Sequence, residues 1–196
     1  MKPTVILSTL ALALAVAPAA SAEETKFVLS GGLIFNQGNT LDLTAKRAGG
    51  FNLEAGVLFS PQDFGAQILV YGGNLRIPGG TPSAEQPTYN MNSPHFGFEL
   101  VYRPWDKLSA LSINAGPSFH IWQVEQNGVP AATASMGNQN LKLGWRTGVG
   151  YDFDKCWSLS LNYTFTEWRS DYNQSYQSGL NPSRPSYITL MGSYRF

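Results

Sequence analysis

Two histidines occur in this sequence, His95 and His120, and Ser118 stands two residues before the second. In an extended strand, residues two apart point to one side at a spacing of about 7 Å. A serine hydroxyl and an imidazole so placed can approach hydrogen-bond contact. That is the beginning of a nucleophile–base pair, which needs a third group to orient the imidazole. Glu125 is the next carboxylate downstream and lies too far along a loop to serve. The alternative is a polar histidine at the outer rim of a strand. A second set with chemical content is the group of charges Glu54, Glu99, Arg103, Lys142, Arg146, Asp152 and Arg195, spaced along otherwise apolar segments. Carboxylates and cations confined in a narrow space must pair, because an unpaired buried charge is costly. Cys156 is the single cysteine, and Asp42, Asp63, Asp106, Asp154 and Asp171 are scattered without calcium-loop spacing, so no metal site is expected. No phosphate-cradling glycine motif occurs, and no cofactor is expected.

The elements that must position these residues are marked by period-two alternation. From Trp157 to Thr166 every odd position is large and apolar and every even one small and polar. Side chains alternate across a strand, so such a segment has one greasy and one wet face. Leu141, Leu143, Trp145, Val149 and Tyr151 alternate in the same way with Lys142, Gly144, Arg146, Gly148 and Gly150, and Phe51, Leu53, Ala55 and Val57 with Asn52, Glu54 and Gly56. Eight segments are expected, at about 26–35, 51–60, 64–74, 95–103, 108–122, 140–153, 156–168 and 186–196. Each approaches or exceeds the 9–11 residues that a tilted strand needs to cross a bilayer. The third admits two registers, since Ile68 and Val70 compete with Leu69 and Tyr71 for the apolar face; the one with Gln67 inward is preferred.

The connections alternate as well. Short links fall at Pro61-Gln62-Asp63, Pro104-Trp105-Asp106-Lys107 and Asp154-Lys155, and long ones at 36–50, 75–94, 123–139 and 169–185. Three short turns and four long loops describe an all-β fold: an eight-stranded antiparallel up-and-down transmembrane β-barrel with both termini on the short-turn side. Aromatics gather at both strand ends, as two membrane interfaces select. Phe27, Phe59, Phe64, Tyr102, Phe153, Trp157, Tyr194 and Phe196 fall on the turn side; Phe35, Phe51, Phe96, Phe119, Trp145, Phe165 and Tyr187 fall nearer the loops. A soluble lipocalin-like barrel would alternate too, but it points large apolar residues inward and needs charge outside. Only 13% of residues here are charged, against about 25% in an ordinary soluble chain. The formal net charge is zero and no loop carries a basic run, so nucleic acid and heparin-like partners have no support.

Residues 1–22 read as a signal peptide, and 23–196 as the barrel. Lys2 supplies the positive start, Val5–Ala17 the apolar run and Ala20-Ser21-Ala22 the small-residue site, with cutting expected before Glu23. The alternative, an N-terminal anchor, asks for about 20 apolar residues, which this run lacks. The segment Tyr187-Ile188-Thr189-Leu190-Met191-Gly192-Ser193-Tyr194-Arg195-Phe196 resembles the C-terminal strand of Gram-negative outer-membrane proteins. The mature chain as a whole is similar to the small eight-stranded barrels: the OmpA transmembrane domain, OmpX and the opacity-type surface proteins. The resemblance is specific for architecture. It implies an outer-membrane location with termini in the periplasm, outer-membrane lipids and lipopolysaccharide as surroundings, and a C-terminal signal, Tyr194 and Phe196, read by the barrel-assembly machinery. With the last strand ending the sequence, no peptidoglycan-binding domain of the OmpA type is expected.

Eight strands leave an interior just wide enough for side chains to fill or for one small ligand. Counting along the strands puts Glu54, Glu99 and Arg146 at mid-depth, Arg103, Asp152 and Arg195 near the periplasmic mouth, and Lys142 nearer the outside. A Glu54–Arg146–Glu99 network that plugs the barrel is expected, with a water-filled thread lined by the same groups as the alternative. The function that follows is a structural or surface-interaction role. The second reading is a narrow pore or small-solute conduit. The third is a lipid A-modifying enzyme using Ser118 and His120. Barrel deacylases carry the order His-x-Ser, whereas this chain has Ser-x-His, so no catalytic residue is expected. The loop 169–185 mixes Tyr with Asn, Gln and Ser, which suits either a surface ligand or an ordinary solvated loop.

Overall fold

The computed structural model describes residues 22–37, 49–61, 64–77, 89–104, 110–126, 129–130, 141–166 and 186–196. The segments 38–48, 78–88, 131–140 and 167–185, and with them most of the expected loops, lie outside the described residues, as do residues 1–21 of the expected signal peptide. Among the described residues there are ten strands: β1 Ala22–Gln37, β2 Gly49–Pro61, β3 Gln67–Ile77, β4 Tyr89–Tyr102, β5 Leu111–Ile121, β6 Gln123–Gln126, β7 Val129–Pro130, β8 Leu141–Asp152, β9 Trp157–Thr166 and β10 Ser186–Arg195. Eight of them form a closed antiparallel ring, β1-β2-β3-β4-β5-β8-β9-β10, with β10 returning to β1. The remaining two, β6 and β7, are short ribbons above the ring. Strand β6 continues the pairing of β4 over Tyr89–Asn92, and β7 pairs with β6.

The ring corrects several expected limits. Strand β3 runs on to Ile77 and β4 begins at Tyr89, so both intrude on the expected loop 75–94. The expected loop 123–139 contains β6 and β7. Cross-strand pairing carries these segments past the point where alternation fades, since a backbone N–H in a ladder is satisfied whatever its side chain. The third strand takes the register with Gln67 inward: its amide hydrogen-bonds Ser60 Oγ at 2.9 Å and accepts from Arg103 at 2.5 Å. The seam from Val28↔Arg195 to Gln37↔Ser186 closes the ring, and Ser30 and Ser193 meet across it, Oγ to Oγ, at 2.8 Å.

The outer wall is apolar and largely bare; Val57 and Phe59 of β2, the latter expected in the turn-side belt, are instead buried with Ile68 and Val70 packed against them. Leu33, Leu53, Val149 and Leu161 are 57%, 61%, 54% and 47% exposed. A continuous belt of such residues would be untenable in water but suits hydrocarbon, where a closed ring also leaves no backbone group unpaired. Phe27, Phe64, Tyr102, Phe153, Trp157 and Phe196 stand exposed toward the turn end, and Phe35, Phe51, Trp145 and Phe165 toward the loop end. Tyr187 departs from the expected belt. Odd positions of β10 face inward, and Tyr187 is buried in the lumen.

Inward glycines make room for larger neighbours. A Cβ on Gly97 would lie 2.5 Å from the Tyr71 hydroxyl and 2.7 Å from the Pro117 carbonyl oxygen. Gly97→Val is expected to lower stability by about 1–3 kcal/mol through overpacking, read as a lower urea midpoint for the detergent-refolded barrel.

Candidate functional site

The lumen has three levels. The middle one is built around Arg146, which enters from β8 at the position paired with Thr164 of β9. Its Nη1 donates to Glu54 Oε1 of β2 at 2.6 Å, and its Nε donates to Glu99 Oε1 of β4. The three side chains thus reach across the barrel from separate strands, each with a side chain no more than 6% exposed. The guanidinium carbon lies 3.8 Å from the centroid of the Tyr71 ring, a cation–π contact strengthened by the absence of bulk water. Asn52 Nδ2 donates to Glu54 Oε1 at 2.7 Å, and Asn114 Nδ2 links Glu99 Oε2 at 2.7 Å with Asn162 Oδ1 at 2.9 Å. Each carboxylate is therefore held by a cation and by a neutral amide donor, as buried charge requires.

The histidines join this level to the next. His95 Nε2 stands 3.0 Å from Glu54 Oε1, while its Nδ1 stands 3.1 Å from the Ser93 carbonyl oxygen. His120 stacks on His95 at 5.2 Å between ring centroids and on Trp122 at 5.7 Å. Its Nε2 lies 3.1 Å from Ser118 Oγ and its Nδ1 3.4 Å from Ser93 Oγ. The Ser118–His120 contact suggested by the spacing is thus present. Neither residue sits at an accessible rim: His120 is fully buried and Ser118 almost so. A serine hydroxyl, not a carboxylate, faces the second nitrogen.

Above the histidines, Ile34, Leu75, Ile77, Trp122 and Tyr187 form an apolar cluster at the loop end, every member 3% exposed or less. Alternation points to a mainly polar lumen. Leu75 and Ile77 escaped it because they fell in an expected loop, and Tyr187 because it was assigned to the outer belt. The inward parity of Gln67 and of Thr189, extended along their strands, points to all three.

Below the middle level the lumen holds a cavity of about 70 Å³, lined in part by Ser30, Ser112, Ser158, Ser160, Asn162 and Ser193. At its foot Asp152 takes two cations, Arg103 Nη2 at 2.6 Å and Arg195 Nη2 at 2.5 Å. Lys142 stands opposite His120 in the β5–β8 register, apart from both charge sets. Outside the strands, the β8–β9 turn is closed by Asp154. Its Oδ1 accepts from the backbone N–H of Cys156 and of Trp157, each at 2.7 Å, and these bonds hold its carboxyl below the usual aspartate range.

Among known proteins, the chain matches the family model for the outer membrane protein β-barrel domain over residues 6–196. It is similar to the crystal structure of Neisserial surface protein A (NspA), at 12% identity and a TM-score of 0.56, over 89% of this chain and 100% of that one. It is also similar to Ail, the attachment invasion locus protein of Yersinia pestis, in complex with the heparin analogue sucrose octasulfate. There the identity is 14% and the TM-score 0.52, over 88% of this chain and 99% of that one. At such identities the likeness is one of fold. No curated protein matches the chain.

Proposed function

Because the chain belongs to the outer membrane protein β-barrel domain family, we propose that it serves as a structural and surface-interaction barrel whose lumen is plugged. In this reading residues 1–22 are the signal peptide, both termini of the mature chain stand in the periplasm and the long loops face outward. Tyr194 and Phe196 close the strand offered to the assembly machinery, and lipopolysaccharide and other outer-membrane lipids surround the wall. The observation that carries the reading is Arg146 bound to both Glu54 and Glu99 beneath a buried apolar cluster. Ions crossing the lumen would have to part a buried charge set and wet the Leu75–Trp122–Tyr187 layer, and either is costly.

Two further readings have specific support. The cavity favours a conduit on the turn side only, because it stops at Arg146 and at the two carboxylates. The Ser118–His120 contact favours a hydrolase, and the depth of Ser118 and the serine, rather than a carboxylate, at the second imidazole nitrogen weigh against it. Ail is described with a heparin analogue. Loops without a basic run do not favour that ligand chemistry here.

The test is single-channel recording of the refolded mature chain in a planar bilayer. A folded barrel that stays electrically silent is the expected result. Discrete openings at neutral pH would put the conduit first.

A further inference from the structure

Among the described residues the outer wall carries one polar patch, and the geometry points to it as a binding site for a phosphorylated glycolipid of the outer leaflet. The inference rests on the outer-membrane reading and goes beyond it by naming the residues and the ligand chemistry. Outward positions of the eight ring strands, where described, are apolar or small almost everywhere; Arg76 is the one outward charge among the described residues. It is exposed, whereas its neighbours Leu75 and Ile77 are fully buried inside. Two asparagines flank it. Asn92 is its direct cross-strand partner on β4, and Asn74 precedes it by two residues on the same face of β3. The carboxamide oxygens of both asparagines are buried and accept no hydrogen bond among the described residues. On the other side Arg76 pairs in register with Phe51 of the loop-side aromatic belt, which places the guanidinium at the membrane interface on the loop face.

An exposed cation flanked by two half-buried amides has no reason to face hydrocarbon, where such groups are expensive. Another polar position on the wall shows the contrast: Thr147 Oγ1 donates to the Asn114 carbonyl oxygen of the barrel itself at 3.2 Å. The guanidinium fork matches a phosphate. The Nδ2 donors of the two half-buried asparagines match sugar oxygens beside it, while their buried oxygens lie out of a ligand's reach. Phe51, 45% exposed, and Leu53 offer the apolar surface against which an acyl chain would lie.

The experiment is a thermal-unfolding titration of the refolded barrel in detergent, read by the gel shift of the heated sample. The probes are bisphosphorylated lipid A, the same lipid stripped of phosphate, and phosphatidylglycerol. Lipid A is expected to raise the midpoint of the wild-type barrel. Arg76→Gln should weaken its apparent affinity about tenfold, and Arg76→Lys by less. Asn74→Ala with Asn92→Ala should weaken lipid A binding while leaving any phosphatidylglycerol response unchanged. Because Arg76 is exposed, its variants are expected to refold, and an unchanged midpoint without lipid checks that they do. Equal stabilisation by dephosphorylated lipid A, or an undiminished response in Arg76→Gln, would overturn the site. An equal, Arg76-dependent response to phosphatidylglycerol would overturn its assignment to a glycolipid. A wild-type chain that fails to refold as a heat-modifiable barrel would instead count against the outer-membrane reading.

Discussion

Arg146→Ala is expected to destabilise the refolded barrel by about 3–5 kcal/mol, the usual consequence of removing one partner from a buried ion pair. The loss is larger than that of a contact because of what remains. Glu54 and Glu99, with side chains 5% and 2% exposed, would confront each other with only amide donors and His95 between them. Urea unfolding followed by tryptophan emission measures the effect. The informative companion is a triple variant, Arg146→Met with Glu54→Gln and Glu99→Gln, which removes every charge of the set. It should recover most of the stability, since neutral side chains of similar volume fill such sites without the desolvation cost. If Arg146→Ala were as stable as the wild type, the carboxylates would have to be solvated, and the plug would lose its basis. The same variant is the sharpest probe of conduction: a silent wild type and a conducting Arg146→Ala barrel would locate the obstruction at this side chain.

The second large effect is on the opposite face of the wall. Leu161 pairs with Val149 on one side and Leu190 on the other, in the middle of three strands, and is 47% exposed. Leu161→Arg is expected to cost about 2–4 kcal/mol when the barrel is folded into lipid vesicles, the penalty for a cation at the bilayer midplane. The neighbouring lumen change Ser160→Ala, which removes only the hydrogen bond from Asn162 Nδ2 at 3.0 Å, should cost about 0.5–1.5 kcal/mol. The contrast between adjacent positions is the readout. Equal, small effects at both would mean that this wall does not face hydrocarbon.

How much of this was written in the sequence differs between wall and lumen. The wall was legible because a bilayer imposes one rule on every strand. Leu159, Leu161, Tyr163 and Phe165 repeat it without interruption, and the short links between strands supplied the count. The charges of the lumen were legible for the same reason: Glu54, Glu99 and Arg146 share the parity of the polar face, and their depth followed from position along the strand. The structure brings the three together. It also gathers Arg103, Asp152 and Arg195 at the turn-side end. What parity could not reveal is which neighbours complete a network. Asn52, Asn114 and Asn162 look like ordinary polar-face residues, and Tyr71, inward in the preferred register of its strand, like simple filling, until the ring of strands closes and sets them against Arg146. The apolar layer of Ile34, Leu75, Ile77, Trp122 and Tyr187 was hidden more deeply. Alternation distinguishes polar from apolar faces, and a lumen that becomes apolar near one end breaks that rule at the strand ends, where the pattern is weakest.

The seam between β1 and β10 has a kinetic consequence. Ser30 and Ser193, which meet there, are separated by 163 positions in the chain. Every other pairing in the ring joins strands that follow one another, apart from the detour through β6 and β7, and can form as soon as both strands exist. The seam alone has to await the last strand of the ring, and until then the first strand presents a raw edge that invites pairing with any other extended segment. A loop of that length also makes closure the slowest contact to find. Barrel formation should therefore show a late, concentration-sensitive step, with dilution favouring closure on the chain's own first strand over capture of a neighbour's.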